Sequence, residues 1–563
     1  RINISRAQQL LIAPIIGISI FIVFSLVIRL VNLPWQSLYL YCLFFTFLIF
    51  HDLYRKKIWF KIQLKTIDLV SLLVLLFITF LISIVYLGSG FHDGDLHLPA
   101  GRDAFWRLSL ISELIHHLPP QNPAMAGMKL QNYHFFYDLL IAGTAQLTGI
   151  NQILLYLKFY TYLTSFLFVF AVYIITGLLV KNPMLKIYGT VLTIFTGNLS
   201  YFLPILSKNY NFFSKSDIFF SNQPFDQIHN PFNFFAYACT LTIFLLVFTY
   251  TKVKKQSLIL LISICIGILI GTKIYAGMLV LLALLIFSIY ETLRNRFHLT
   301  LLLPFLFSFL IYSLIRGDAP TSLVWTPGWV LTKMVEDTDR VYLPNMLLKE
   351  QYYQNTGNIL RLIEIKIQQL LIYLIGNLNI RIIAIPTFVY LFRKKIISVE
   401  MQLFFLTFIL SALMIPILFI QTRGVFDSIQ FTPYGLLLLS ILSVWGLELF
   451  INYIGAKKYM FVTLMLILIF ILAVPTNLNL FYHYYVDQNR FDVISKDELT
   501  ALNNLKNQSF PNDIVLTDYD TFKFSHLYIP AILERRVYLG GINLVQQTGI
   551  DTTQRELQIK TFF

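Results

Sequence analysis

The 563-residue chain is 57% hydrophobic and only 13% charged, with a mean hydropathy of +0.69. An ordinary soluble domain is excluded, because about 25% of its residues would carry charge. The net charge of +14, from 43 Lys+Arg against 29 Asp+Glu, would suggest nucleic acid in a soluble protein. Here the basic residues sit in short clusters between apolar runs, the positive-inside pattern of a polytopic membrane protein, so no nucleic-acid partner is expected.

Taken in chain order, apolar windows long enough to cross a hydrocarbon core predict about thirteen helices. They fall at residues 10–31, 36–51, 67–88, 152–180, 187–206, 232–250, 257–272, 277–290, 299–315, 367–391, 401–420, 434–452 and 460–476. The first run is too long for a cleavable signal peptide and has no small-residue cleavage site. Because the chain opens on Arg1 and stops abruptly, trimmed ends are expected. Placing the basic clusters (1–6, 55–65, 181–186, 252–255, 294–296, 393–395 and 457–458) in the cytoplasm puts the N-terminus inside and the C-terminus outside. The expected location is the plasma (inner) membrane. The acids give an independent check. Most of them fall outside, in loops 89–151, 207–231 and 316–366, because a charge at the bilayer centre costs about 2.5–3.5 kcal/mol. Cys42, Cys239 and Cys265 all lie in apolar runs, which implies neither a disulfide framework nor a thiolate metal site.

The first outer loop carries most of the chemistry. Residues 92–138 hold Asp93, Asp95, His97, Arg102, Asp103, Glu113, His116, His117, His134 and Asp138. Residues 103–117 read as an interfacial amphipathic helix with Trp106, Leu110 and Leu114 on its apolar face and Arg107, Glu113 and His117 opposite. Pro119 and Pro120 stop it. Residues 132–148 form a second amphipathic segment closed by Gly149. Residues 477–563 are more polar. Their strand–helix–strand order, DIVLTD to FSHLYIPAIL to RRVYLGG, predicts a small βαβ unit outside. The expected division is therefore a membrane domain over 1–476 and an extracytoplasmic α/β domain over 477–563.

The acidic motif outside an early helix, the Pro-rich turn and the string PPQNPAMAGMKLQNYHFFYDLLIAGTAQLTG resemble the GT-C superfamily of polytopic glycosyltransferases. That group includes protein O-mannosyltransferases, aminoarabinose transferases and oligosaccharyltransferase catalytic subunits. The resemblance covers most of residues 67–563, although two extra helices precede the motif. It implies a mainly α, GT-C-like transmembrane bundle with a small C-terminal α/β domain. It also implies transfer of a sugar from a polyprenyl-phosphate-linked lipid donor to a glycan, lipid or protein acceptor outside the cytoplasm. The alternative is a transporter or flippase for a lipid-linked or small polar substrate, but the paired repeats and midplane charges of transporters are not evident.

Such a transfer needs a general base, groups that neutralise a phosphate, and an apolar slot for the lipid. The family's catalytic Asp follows the helix directly, which fits Asp93 or Asp95. His97 completes an Asp-x-Asp-x-His set that could hold Mn or Mg, the expected divalent cofactor. His134 and Asp138, spaced i,i+4, and Asp226 and His229, in the second outer loop, are candidate substrate contacts. Arg102, Lys273, Arg316 and Arg423 are candidates for the phosphate. Lys273 stands out because it interrupts two apolar runs in GTKIYAG.

Overall fold

The computed structural model describes residues 5–56, 68–99, 102–206, 216–294, 298–317, 323–422, 425–455, 459–486, 491–518, 527–547 and 550–563. It is mainly α-helical. Among the described residues, seven helices are long and apolar enough to cross a membrane: Arg6–Leu30, Gln152–Leu179, Pro231–Val253, Ile274–Arg294, Ile359–Lys394, Val399–Leu418 and Asp427–Ile454. Six shorter apolar helices accompany them, and each of the thirteen expected spans falls on one of these helices. Side-chain caps satisfy free backbone N–H groups at the starts of several of them. Ser5 and Gln8 form a capping box, while Asp68, Asn182 and Ser398 cap the helices that follow them.

Helix Pro231–Val253 is the most enclosed span, with 94% of its central window buried. Aromatic side chains do much of the packing around it. Phe234 stacks on Phe168, and Phe244 meets Phe404, Phe405 and Phe408 of a neighbouring span. Much of the chain's aromatic content therefore fills the bundle interior.

The segments between and after the apolar helices form a layer against this bundle. Helix Arg102–His116 was expected to lie at the membrane interface. Instead it is buried between helix Phe136–Thr148 and helix Tyr528–Leu533. Its supposed polar face is buried as well: Arg107 and Glu113 are 1% and 6% exposed. Gly149 ends helix Phe136–Thr148 in the left-handed region, as the sequence predicts.

The acidic motif folds as a hairpin. Strands β1 (Gly90–His92) and β2 (Asp95–Pro99) are antiparallel, with His92 opposite Asp95. Asp93 and Gly94 make the two-residue turn, both with positive φ (53° and 97°). Asp-Gly suits this turn because both central residues must enter the left-handed region. A second short antiparallel pair joins β3 (Leu323–Trp325) to β4 (Phe419–Gln421).

The C-terminal segment is tied into the rest of the chain. Strand β5 (Phe491–Ile494) adds to β2 as the third strand of the hairpin sheet. Strands β6 (Ile514–Val515) and β7 (Arg536–Val537) pair in parallel with helix Tyr528–Leu533 between them, which is the predicted strand–helix–strand order. The Val537 N–H donates to the Pro123 carbonyl and the Gly540 N–H to the Ala124 carbonyl.

At Gly94 any side chain is strained by the positive φ, and a Cβ would sit 2.7 Å from Lys496 Cδ. Gly94→Val is expected to destabilise the protein by about 1–3 kcal/mol, read as a lower thermal unfolding midpoint in detergent.

Candidate functional site

The buried Arg107 guanidinium organises the outer layer. Its Nη1 donates to Asp138 Oδ2 at 2.6 Å, in an ion pair whose side chains are 2% and 0% exposed. Its Nη2 donates to His134 Nε2 at 3.0 Å. The Phe232 ring lies 3.9 Å from the guanidinium carbon and the Tyr133 ring 5.1 Å away. Burial opposes the Arg107 charge, but the Asp138 carboxylate outweighs it and holds the pKa above its ordinary value. Burial, followed by the charges of Arg107 and Lys273, pushes His134 well below its ordinary range. The imidazole is therefore neutral. It accepts at Nε2 and carries its proton on Nδ1.

Beside this cluster opens a cavity of ≈ 1120 Å³. Its polar end is walled by Asp103, Asp226, Asn230, Lys273, Arg316 and Asp427. Asp103 stands on the first turn of helix Arg102–His116 and is open to the cavity. Its Oδ2 accepts from Asn230 Nδ2 at 2.8 Å. Lys273 sits in an extended break between helices Gln256–Thr272 and Ile274–Arg294. Its Nζ donates to Gln430 Oε1 at 2.6 Å, and Gln430 Nε2 donates to Asp427 Oδ1 at 2.8 Å. Asp226 Oδ2 accepts from the Gln223 N–H at 2.6 Å, and burial pushes its carboxyl up to about 7.

From this polar end the cavity continues as an apolar groove. One wall is Ile274, Met278 and Leu281, and the other is Phe305, Phe309 and Tyr312. Both sets follow the i, i+4, i+7 spacing of one helical face, so the groove runs about 10 Å along two adjacent apolar helices at 1.5 Å per residue. Phe309 and Tyr312 are exposed, so the groove is open along this helix rather than sealed within the protein.

Five of the residues singled out from the sequence are brought to this region. His134, Asp226, Lys273 and Arg316 line the cavity, and Asp138 lies behind it on Arg107. The i,i+4 pair His134 and Asp138 meets through Arg107, with His134 just ahead of the helix that carries Asp138. Asp93, Asp95 and His97 are not among the cavity-lining residues. Asp93 is an exposed turn residue, Asp95 Oδ1 accepts from the Lys496 N–H at 2.8 Å, and His97 packs against His92 and Phe491. Arg423 and the side chains of Arg102 and His229 lie outside the described residues. Asp103, Asn230 and Asp427 were not nominated from the sequence. Asp103 had a readable signal, since it lies one turn before Arg107 at i,i+4 and so shares its helical face.

Among the described residues no three His, Cys, Asp or Glu side chains are grouped to hold a metal, and Asp93, Asp95 and His97 form no such set. Oxygen ligands for a hard cation are present elsewhere. Asp226 Oδ1 and Asn230 Oδ1 are buried, find no hydrogen-bond partner and belong to residues on the cavity wall beside Asp103. Two carboxylates and a carboxamide oxygen suit Mg²⁺ or Mn²⁺.

No family model matches the chain, and no curated protein matches it. Solved structures of an oligosaccharyltransferase from Archaeoglobus fulgidus are similar in fold. One, in complex with Zn and sulfate, has 13% identity and a TM-score of 0.49, covering 83% of this chain and 62% of that one. A second, AglB with an inhibitory peptide and a dolichol-phosphate, has 12% identity and a TM-score of 0.48, covering 84% and 65%. A third, tethered to an acceptor peptide containing the NVT sequon, has 13% identity and a TM-score of 0.46, covering 84% and 64%. The chain thus spans less than two thirds of the length of these proteins.

Removing one partner of a buried ion pair leaves the other charge uncompensated. Asp138→Ala is expected to cost about 3–5 kcal/mol, measured as a fall in the thermal midpoint of the purified protein.

Proposed function

We propose that the chain is a membrane glycosyltransferase that moves a sugar from a polyprenyl-phosphate-linked donor to an acceptor on the extracytoplasmic side. One observation carries this reading. A single cavity joins a polar end, bearing carboxylates and cations, to an apolar groove open along two membrane-type helices. A lipid phosphate matches both parts, with its head beside Lys273 and Arg316 and its chain against Met278, Leu281, Phe305 and Phe309. A water-soluble sugar nucleotide would leave the groove unused.

In the proposed reaction the acceptor hydroxyl attacks the anomeric carbon of the sugar. The bond from that carbon to the phosphate oxygen breaks, and the prenyl phosphate leaves with the electron pair. Asp103 takes the hydroxyl proton. Among the described carboxylates on the cavity wall, Asp103 is open to the cavity, Asp217 is ion-paired with Arg340, and Asp226 and Asp427 are more enclosed. The sequence alone favours Asp93 or Asp95 as the base. The proposal moves that role to Asp103, because the hairpin commits the other two to a turn and to the Lys496 N–H. General-base help contributes about 10²–10⁴-fold. Lys273 and Arg316 stabilise charge on the leaving oxygen, an effect of comparable size. Asp226 and Asn230 would hold a divalent cation, which would add to the neutralisation of the phosphate. Neutral His134 offers its Nδ1–H to the substrate.

The test is transfer from a synthetic prenyl-phosphate sugar by purified protein in detergent. Asp103→Asn is expected to lower kcat by about 10²–10⁴-fold with its thermal midpoint retained. The double variant Asp93→Asn, Asp95→Asn is expected to keep activity within about tenfold of the parent, since neither residue reaches the cavity and the loss from a base is larger than that. The opposite ranking would return the base to the hairpin. Treatment with EDTA is expected to abolish transfer, and Mn²⁺ or Mg²⁺ to restore it. Substrate carried across sealed vesicles with no covalent change would support a transporter and overturn the proposal.

A further inference from the structure

A second buried arginine lies away from the cavity. Arg381 is 0% exposed and sits inside the long span Ile359–Lys394, where the helix breaks at Asn379 (φ 50°). No acidic side chain forms an ion pair with it among the described residues. Its Nε donates to Ser440 Oγ at 2.8 Å. Its Nη2 donates to the Thr196 carbonyl at 2.5 Å, and its Nη1 to the Asn377 and Gly197 carbonyls at 3.1 and 3.4 Å. Thr196 is the C-cap of helix Pro183–Phe195, so the cation meets the negative end of a helix dipole. The remaining contact is Nη1 to Gln223 Oε1 at 2.8 Å.

Gln223 belongs to the second outer loop and is also fully buried. Its Nε2 donates to Asn377 Oδ1 at 3.1 Å, and its backbone N–H holds Asp226 Oδ2 at 2.6 Å. The same hub grips the loop at two more points: Asn377 Nδ2 donates to the Phe219 carbonyl at 3.1 Å, and Asn198 Nδ2 to the Ser216 carbonyl. A cation in a membrane span is costly, and a simple helix break needs only carbonyl and hydroxyl partners. The contact that links Arg381 to the cavity is the one through Gln223.

We infer that Arg381 and Gln223 are positioning residues that fix residues 216–231 so that Asp226 and Asn230 keep their places in the cavity wall, where Asn230 holds Asp103. Neither touches the substrate. The catalytic meaning of this device rests on the function proposed above, whereas its geometric content does not.

The experiment compares Gln223→Met, Arg381→Gln and Asn477→Ala in the full chain. Asn477 is a buried member of the same region that donates to the Phe195 carbonyl and has no described contact with the loop, so it serves as the structural control. Hydrogen exchange over residues 216–231, Mn²⁺ affinity by electron paramagnetic resonance, and kcat and KM for the donor are measured. Gln223→Met and Arg381→Gln are expected to speed exchange in that segment by about tenfold or more. They are also expected to weaken Mn²⁺ binding by about 10–100-fold, the usual cost of losing an outer-sphere partner, and to lower kcat with donor KM unchanged. Asn477→Ala is expected to lower the thermal midpoint and leave those readouts alone. If Arg381→Gln fails to fold, Gln223→Met still decides, because it leaves Arg381 its other partners. Exchange unchanged in Gln223→Met, or equally raised in all three variants, overturns the inference. Faster exchange in Gln223→Met alongside a parent that transfers no sugar would sink the proposed function and leave the positioning device standing.

Discussion

The segments packed over one end of the helix bundle are assembled around one buried cation. Arg107 comes from helix Arg102–His116, its carboxylate from helix Phe136–Thr148, and the aromatic face beneath it from Phe232 at the start of the most enclosed span. Three separate elements thus share one desolvated charge. A bare guanidinium in that setting would be prohibitively expensive, and it becomes tolerable only when carboxylate, imidazole and ring are all in place. The arrangement is therefore close to all-or-none. It also fixes Asp103, one helical turn earlier on the same face, at the mouth of the cavity.

Among the described residues, the two fully buried arginines, Arg107 and Arg381, solve the same physical problem differently. Arg107 has a carboxylate in contact, and its charge is matched locally. Arg381 has only carbonyl, hydroxyl and carboxamide oxygens, gathered from a helix end and from the break at Asn379. Breaking a helix within a span frees backbone carbonyls, and such groups persist only where something inside the protein satisfies them. Arg381 is that partner. The price of interrupting the helices is in this way converted into an anchor for the second outer loop.

How much of this was legible in the sequence varied with the range of the interaction. Every apolar span was visible, because hydropathy is a local sum that the bilayer enforces. The Gly149 stop and the β6–helix–β7 order were visible for the same reason, as turn chemistry and periodicity are local. The Asp93-Gly94 dipeptide carries the local signature of a hairpin turn as well. The polar partners were not legible. Asn230 meets Asp103 across 127 residues and Arg381 meets Gln223 across 158, and no pattern within a window records such pairings. Arg107 belongs to the interior because the groups that cover it, His134, Asp138 and the Phe232 ring, lie outside any window around it.

The cavity's two central carboxylates illustrate why burial, rather than residue type, assigns roles. Asp103 is open to the cavity and accepts a single carboxamide hydrogen bond, so it is free to meet a substrate proton. Asp226 is enclosed, holds one backbone N–H, and is pushed up to about 7 by burial. Left alone near neutrality, such a group is poised between its two forms. On the proposed function, a cation bound beside it would favour the ionised one. One acid is thus open to the cavity, while the other is desolvated. On that function, cation binding is coupled to the geometry of the second loop, because the N–H that steadies Asp226 is held from below by the Arg381 hub.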